Sequence, residues 1–210
     1  DNEGGAVFLE GKNTSRSAAL IVKGGTISNN KAGVSGGGIF AWCYKGTQAG
    51  TKVIVSGGKI TGNYTGSDMQ EENAMILMGF YDSEFPDGNT GFANLYLSGS
   101  PEITGSVVLA DDTDNDGNGR GPLIYADSSL SVKTPVLVVP IYGTIGASAV
   151  VYENEASAEA YKQQFCTEKN GNRGLVKEGN TLKWIKKMKV ELLTFTSITP
   201  MKYTRKNVYI

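Results

Sequence analysis

Leu20-Ile-Val-Lys-Gly-Gly-Thr-Ile-Ser-Asn-Asn30 recurs 33 residues later as Val53-Ile-Val-Ser-Gly-Gly-Lys-Ile-Thr-Gly-Asn63. It returns with one residue inserted as Leu95-Tyr-Leu-Ser-Gly-Ser-Pro-Glu-Ile-Thr-Gly-Ser106. Each copy has three alternating residues, a glycine corner, and a short Ile-centred stretch ending in small polar residues. Alternation has the period of a strand, whose successive side chains point to opposite faces. Glycine supplies corner conformations that a side chain forbids. A similar period with loops of varying length is the pattern of a solenoid.

Working outward, the first two copies share a fuller unit. Gly4-Gly5-Ala-Val-Phe-Leu9 reads as a strand, 12–17 as a polar loop, Ala19–Lys23 as a second strand and Thr26–Ser28 as a third. The order repeats in Gly37-Gly38-Ile-Phe-Ala-Trp-Cys-Tyr44, a loop over Lys45–Gly50, Val53–Ser56 and Lys59–Thr61. Three strands per repeat predict one triangular coil of a parallel β-helix. Leu20 and Val22 then stack on Val53 and Val55, and these on Leu95 and Leu97. Ile27, Ile60 and Ile103 form another inward column. Asn30 and Asn63 either hydrogen-bond along the stack or take the left-handed corner.

The Gly-Gly-x-Ile-x-x-Asn repeat with its preceding Gly-Gly-Ile-Phe resembles the repeats of bacterial surface β-helix proteins. These are the polymorphic outer-membrane protein type and the Gly-rich adhesin-like proteins of gut bacteria. The resemblance covers roughly residues 4–107. It implies a right-handed parallel β-helix at a cell surface or outside the cell, with structural repeats that carry no catalytic residues.

Past Ser106 the repeat blurs. Val107–Ala110, Leu123–Ala126, Leu130–Val132 and Val136–Ile141 continue the apolar pattern, which extends the coils to about residue 150. Asn154–Phe165 contains no Gly or Pro and reads as a helix of about three turns. Gly174–Ile185 reads as a hairpin around Gly179-Asn180. The expected organisation is therefore 1–150 β-helix, 151–187 helix-plus-hairpin cap, and 188–210 a tail with a plausible strand. The N-terminal coil has no cap-like segment before it, which makes self-association through that end an expectation.

Composition narrows the chemistry. The chain has 210 residues, 28 of them glycine, a net charge of -1 and no histidine. That charge makes no case for nucleic acid or an anionic membrane, and no apolar run approaches the ~20 residues that span a bilayer. Without histidine the commonest general base and any Ser-His or Cys-His pair are missing. The two cysteines, Cys43 and Cys166, sit in no metal-ligand spacing, and their pairing is open.

Two stretches are candidate sites. Asp112, Asp114 and Asp116 alternate ahead of Gly117, as hard oxygen ligands do in a calcium loop. Leu123 stands where that loop needs its bidentate carboxylate, and Asp, Asn and Gly are also ordinary turn residues. No cofactor is expected other than a Ca2+ ion, should these three aspartates bind one. With Ile39, Ala41 and Cys43 inward, Phe40, Trp42 and Tyr44 face outward in a row, which Met75, Leu77 and Tyr81 are expected to extend. Such a row either binds a glycan or a protein or is covered by other parts of the chain. The expected function is a non-catalytic, extracellular, adhesin-like module presenting a rigid wall to a glycan or to a host or cell-surface protein. The alternatives are a polysaccharide lyase or hydrolase of the β-helix type and a purely structural stalk.

Overall fold

The computed structural model describes residues 3–11, 17–43, 50–66, 68, 71–79, 91–110, 121–141, 143–195 and 203–209; for 189–195 and 203–209 it describes the backbone alone. Each of the first three repeats sends its strands to three different sheets. The first supplies β1 (Val7–Gly11), β2 (Ala19–Val22), β3 (Thr26–Ser28) and a two-residue strand, β4 (Lys31–Ala32). The second supplies β5 (Ile39–Cys43), β6 (Thr51–Val55), β7 (Lys59–Thr61) and β8 (Tyr64–Thr65). The third supplies β9 (Glu71–Gly79), β10 (Ala93–Leu97) and β11 (Glu102–Ile103). Two further levels follow, β12 (Ser106–Ala110) with β13 (Ile124–Ala126), and β14 (Val136–Pro140) with β15 (Ser148–Tyr152).

Like strands pile on like. Sheet one runs β1-β5-β9-β12-β14, sheet two β2-β6-β10-β13-β15 and sheet three β3-β7-β11, with parallel pairing throughout these runs. The protein is an all-β parallel solenoid of about four turns. The expected columns are present. Leu20 pairs with Val53 and Val53 with Leu95, and sheet two continues the column through Ile124 and Val150. Ile27, Ile60 and Ile103 align in sheet three. Val53, Leu95, Ile124 and Val150 are fully buried in one continuous core. Burying each such side chain contributes roughly 1.5–3 kcal/mol, and the stack multiplies that.

The asparagines hydrogen-bond along the stack. Asn63 Oδ1 accepts from Asn30 Nδ2 at 2.9 Å and from the Asn30 backbone N–H at 3.2 Å, while Asn63 Nδ2 donates to the Ile27 carbonyl at 3.0 Å. Asn63 is fully buried, so these bonds offset the cost of desolvating an amide, about 1–3 kcal/mol if left unmade. The left-handed corner falls one residue earlier, at Asn29 (φ 58°), Gly62 (φ 62°) and Gly105 (φ 80°). At the opening of sheet one, a Cβ on Gly37 would sit 2.7 Å from the Tyr64 backbone nitrogen and oxygen. The Gly-Gly pairs there are close-approach points between successive coils.

Past β12, among the described residues, the third side of the coil carries no strand. Residues Leu130–Val132, expected as a strand, follow a turn in which the Ser129 N–H donates to Asp127 Oδ1 at 2.6 Å and the Leu130 N–H to the Asp127 carbonyl at 3.1 Å. Asp-Ser-Ser supplies its own turn hydrogen bonds and so competes with a ladder. Leu130 is buried all the same.

The helix is shorter than expected. α1 (Glu155–Tyr161) starts where Asn154 Oδ1 caps the Ser157 N–H at 2.9 Å. A single 3-10 turn, Lys162–Gln164, follows, and Phe165 already belongs to β16 (Phe165–Cys166), which adds to β14. Phe165 is needed in the core, edge-on to Tyr152 with ring centroids 6.2 Å apart, and that demand ends the helix. β17 (Arg173–Glu178) and β18 (Thr181–Lys186) form the expected hairpin, and β18 pairs antiparallel with β15. Its Leu182 and Trp184 are buried in the core cluster. β19 (Lys189–Phe195) and β20 (Tyr203–Tyr209) make a two-stranded antiparallel sheet of their own.

Candidate binding groove on the outer wall

Alternation leaves each sheet with an outward face, and the two large sheets use it differently. On sheet one, Phe8 pairs with Phe40, Phe40 with Ile76 and Ile76 with Val108. Phe8 and Phe40 stack with ring centroids 5.4 Å apart and planes within 7°. Phe40 is only 3% exposed, and with Ile76 and Ala110 it forms a second apolar cluster outside the main core, against which Trp42, Met78 and Val108 pack. Phe40 and Trp42 thus point outward while Phe40 is buried and Trp42 half-buried. Tyr44 lies outside the described residues, as does Tyr81.

The expected extension of this row needs correction. Met75 and Leu77 are inward, paired with Ile39 and Ala41 and fully buried. Ile76 and Met78 hold the outward positions beside Phe40 and Trp42. The cause is register: β9 aligns one residue away from the phase that the outward row needs, and a one-residue shift exchanges the faces.

Asp112, Asp114 and Asp116 also lie outside the described residues. Among the described residues no group of three or more metal-ligating side chains comes together, and no helix is long and apolar enough to cross a membrane. Cys43 is buried on β5 and Cys166 is exposed on β16, with no disulfide between them. Partial desolvation of its sulfur, exposed though the residue is, raises the Cys166 thiol above its ordinary pKa, with Lys187 acting the other way.

Sheet two carries the open wall. Its outward column reads Ile21, Ile54, Tyr96, Tyr125, Val151. Tyr96 and Tyr125 stack with centroids 4.8 Å apart and planes within 11°. That spacing is the natural step between neighbouring strands, about 4.7–4.9 Å, so the backbone ladder itself holds the rings in register. The Lys52 ammonium lies over the Tyr96 ring, 5.9 Å from its centroid. Lys52 belongs to β6 and Tyr125 to β13, on opposite sides of β10. The ring stack is therefore closed by a cation at one end, and its other end turns toward the smaller Val151.

A groove of ≈ 350 Å³ runs along this wall. Tyr96, Tyr125 and Val151 line it, with Ser98, Asp127 and Glu153 two residues further on, just past the ends of their strands. Asp127 and Glu153 are one coil apart, since their predecessors Ala126 and Tyr152 pair directly. Hydrogen bonds from Ser129, first from its backbone N–H and then from its side chain, hold the Asp127 carboxyl below its usual pKa. Burial, and secondarily Tyr125, push the Tyr96 phenol above its usual range. At neutral pH the groove thus offers a neutral phenol beside an ionised carboxylate. Behind it, Tyr152 is buried with its hydroxyl donating to the Tyr161 carbonyl at 3.2 Å.

Sequence reasoning misses this groove although a signal is present. The third repeat opens Leu95-Tyr-Leu97, with the tyrosine between two inward residues, and Ile124-Tyr-Ala126 has the same form. Continuing the repeat past Ser106 superimposes the two tyrosines. Comparison with protein-family models, with curated proteins and with solved structures finds no match to this chain.

Proposed function

We propose that this protein is a non-catalytic, adhesin-like module of a bacterial cell surface or its exterior, which binds a glycan on the outer wall of its second sheet. The observation that carries the reading is the open groove over the stacked Tyr96–Tyr125 pair, apolar along its length and polar at one edge. Sugar rings bind through this combination: apolar C–H faces against aromatic carbon, and hydroxyls to side-chain oxygens. The repeat's resemblance to surface β-helix proteins supports the location. The absence of histidine favours binding over general acid-base work.

A broad glycan array tests this with three chains in parallel: the wild type, Tyr125→Ala and Trp42→Ala. Binding that Tyr125→Ala weakens about tenfold or more, a loss near 1.4 kcal/mol, and that Trp42→Ala retains assigns recognition to sheet two. The reverse pattern moves the site to sheet one. No binding by any of the three leaves a stalk. New reducing or unsaturated ends after incubation with polysaccharide would replace the binder with an enzyme.

A further inference from the structure

We propose that Tyr96 and Tyr125 are an oxidative cross-linking site, joined ring to ring as dityrosine by a peroxidase acting with hydrogen peroxide. The bond staples the third level of the solenoid to the fourth. This inference stands apart from the glycan-binding reading and does not need it.

Register sets the pair up. Tyr96 pairs directly with Tyr125 across the β10–β13 ladder, so both side chains leave neighbouring strands at one height and on one face. Their rings lie 4.8 Å apart and within 11° of parallel. Among the described residues no other two tyrosines stack. Both are half-buried and line the open groove, which leaves them within reach of an oxidant. Burial first, and then the neighbouring Tyr125, disfavour ionisation of Tyr96. Tyr96 therefore meets the oxidant as a neutral phenol with the Tyr125 phenol beside it.

The coupling is a two-electron oxidation. Each phenol gives up one electron and its hydroxyl proton and becomes a phenoxyl radical, with spin on the carbons ortho to oxygen. One ortho carbon of each ring forms the new C–C bond, and the two ortho hydrogens move to the oxygens to restore both hydroxyls. One hydrogen peroxide takes up the two electrons and two protons and leaves as two waters. Rotation about χ2, the broad torsion of an aromatic side chain, turns the ring edges toward each other. Radicals on separate molecules must first meet, whereas two on one ladder couple within the molecule.

The stack is thinnest at this point. Among the described residues sheet three ends at β11, so the fourth level is held through sheets one and two. In sheet two, β6 and β10 share five residue pairs but β10 and β13 share three, and Tyr96–Tyr125 is the middle one. A covalent bond there restricts the unfolded chain as a disulfide does.

The test treats the whole chain, dilute, with a peroxidase and hydrogen peroxide. It follows dityrosine fluorescence, intact mass, and the linked residues by tandem mass spectrometry. The expected product is a monomer lighter by two hydrogen atoms, with Tyr96 bonded to Tyr125, formed at least about tenfold faster than in the urea-unfolded chain. Tyr96→Phe and Tyr125→Phe each abolish it and keep the fold, which circular dichroism checks. The linked monomer is expected to melt roughly 5–15 °C above the untreated one. Coupling dominated by other tyrosines, or by links between molecules, overturns the site. So do equal rates in the folded and unfolded chains. A link at this pair with no rise in melting temperature upholds the site and overturns the staple.

Discussion

The outer walls of the two large sheets obey the same alternation and meet different fates. On sheet one the outward column Phe40, Ile76, Val108 is part of a second apolar cluster, with Phe40 and Ile76 nearly inaccessible. On sheet two the corresponding column runs from Ile21, 58% exposed, to the tyrosine pair over an open groove. A period of two determines which side chains leave the core. Whether water meets them depends on what packs against the wall, which alternation does not encode.

Substitutions can break or sharpen this contrast. The largest effect is expected from Phe40→Ala. Deleting a buried ring that stacks on Phe8 should cost about 3 kcal/mol, lowering the melting temperature by roughly 6–12 °C for a chain of this size. A loss below ~1 kcal/mol in chemical denaturation would show that the sheet-one wall is as open as its counterpart. Tyr125→Ala should cost only about 1.5 kcal/mol, mostly the aromatic pair and partial burial, and should act chiefly on ligand binding.

Tyr152→Phe, just behind the groove, should cost about 1 kcal/mol for its lost hydrogen bond and change the pH profile. Burial raises the Tyr152 phenol above its ordinary value of 10.0. Its contribution is therefore fully present below that value and is lost as pH climbs toward the folded-state value, because the unfolded chain ionises first. The phenylalanine variant should flatten this alkaline decline in urea denaturation series. An unchanged slope would mean that another group governs it. The smallest effect belongs to Ile21→Ser on the open wall, within about 0.5 kcal/mol. A larger loss would reveal burial of that wall in solution.

Much of the fold is legible in the residues. Three glycine-cornered copies and their alternating triplets place Leu20, Val53 and Leu95 in one column, and Ile27, Ile60 and Ile103 in another, because both depend on local period and corner chemistry. The phase of β9 is not legible. Met75-Ile-Leu-Met78 is apolar on both faces, so pattern cannot say which residues point inward, and only pairing with Ile39 and Ala41 decides it. The Asp127 turn is similar, since apolar Leu130 and Val132 look like a strand until the Asp127 side chain takes the Ser129 N–H and its carbonyl the Leu130 N–H. The groove needs Tyr96 and Tyr125, 29 positions apart, to be read as one pair, and the insertions between them hide the repeat.

The backbone hydrogen bonds of all three sheets, and the Asn30–Asn63 amide contact, run along the stack rather than around it. Tension applied along that direction would load them in series, in unzipping geometry, and peel the coils one at a time. Releasing the first coil would free the 33 residues that separate Asn30 from Asn63, roughly 110 Å of extended chain. Tension across the stack would instead load whole ladders together in shear. This architecture is mechanically anisotropic: compliant end to end and stiff from side to side. Single-molecule pulling from paired attachment points would read the difference as stepwise extension in one direction and one high-force rupture in the other.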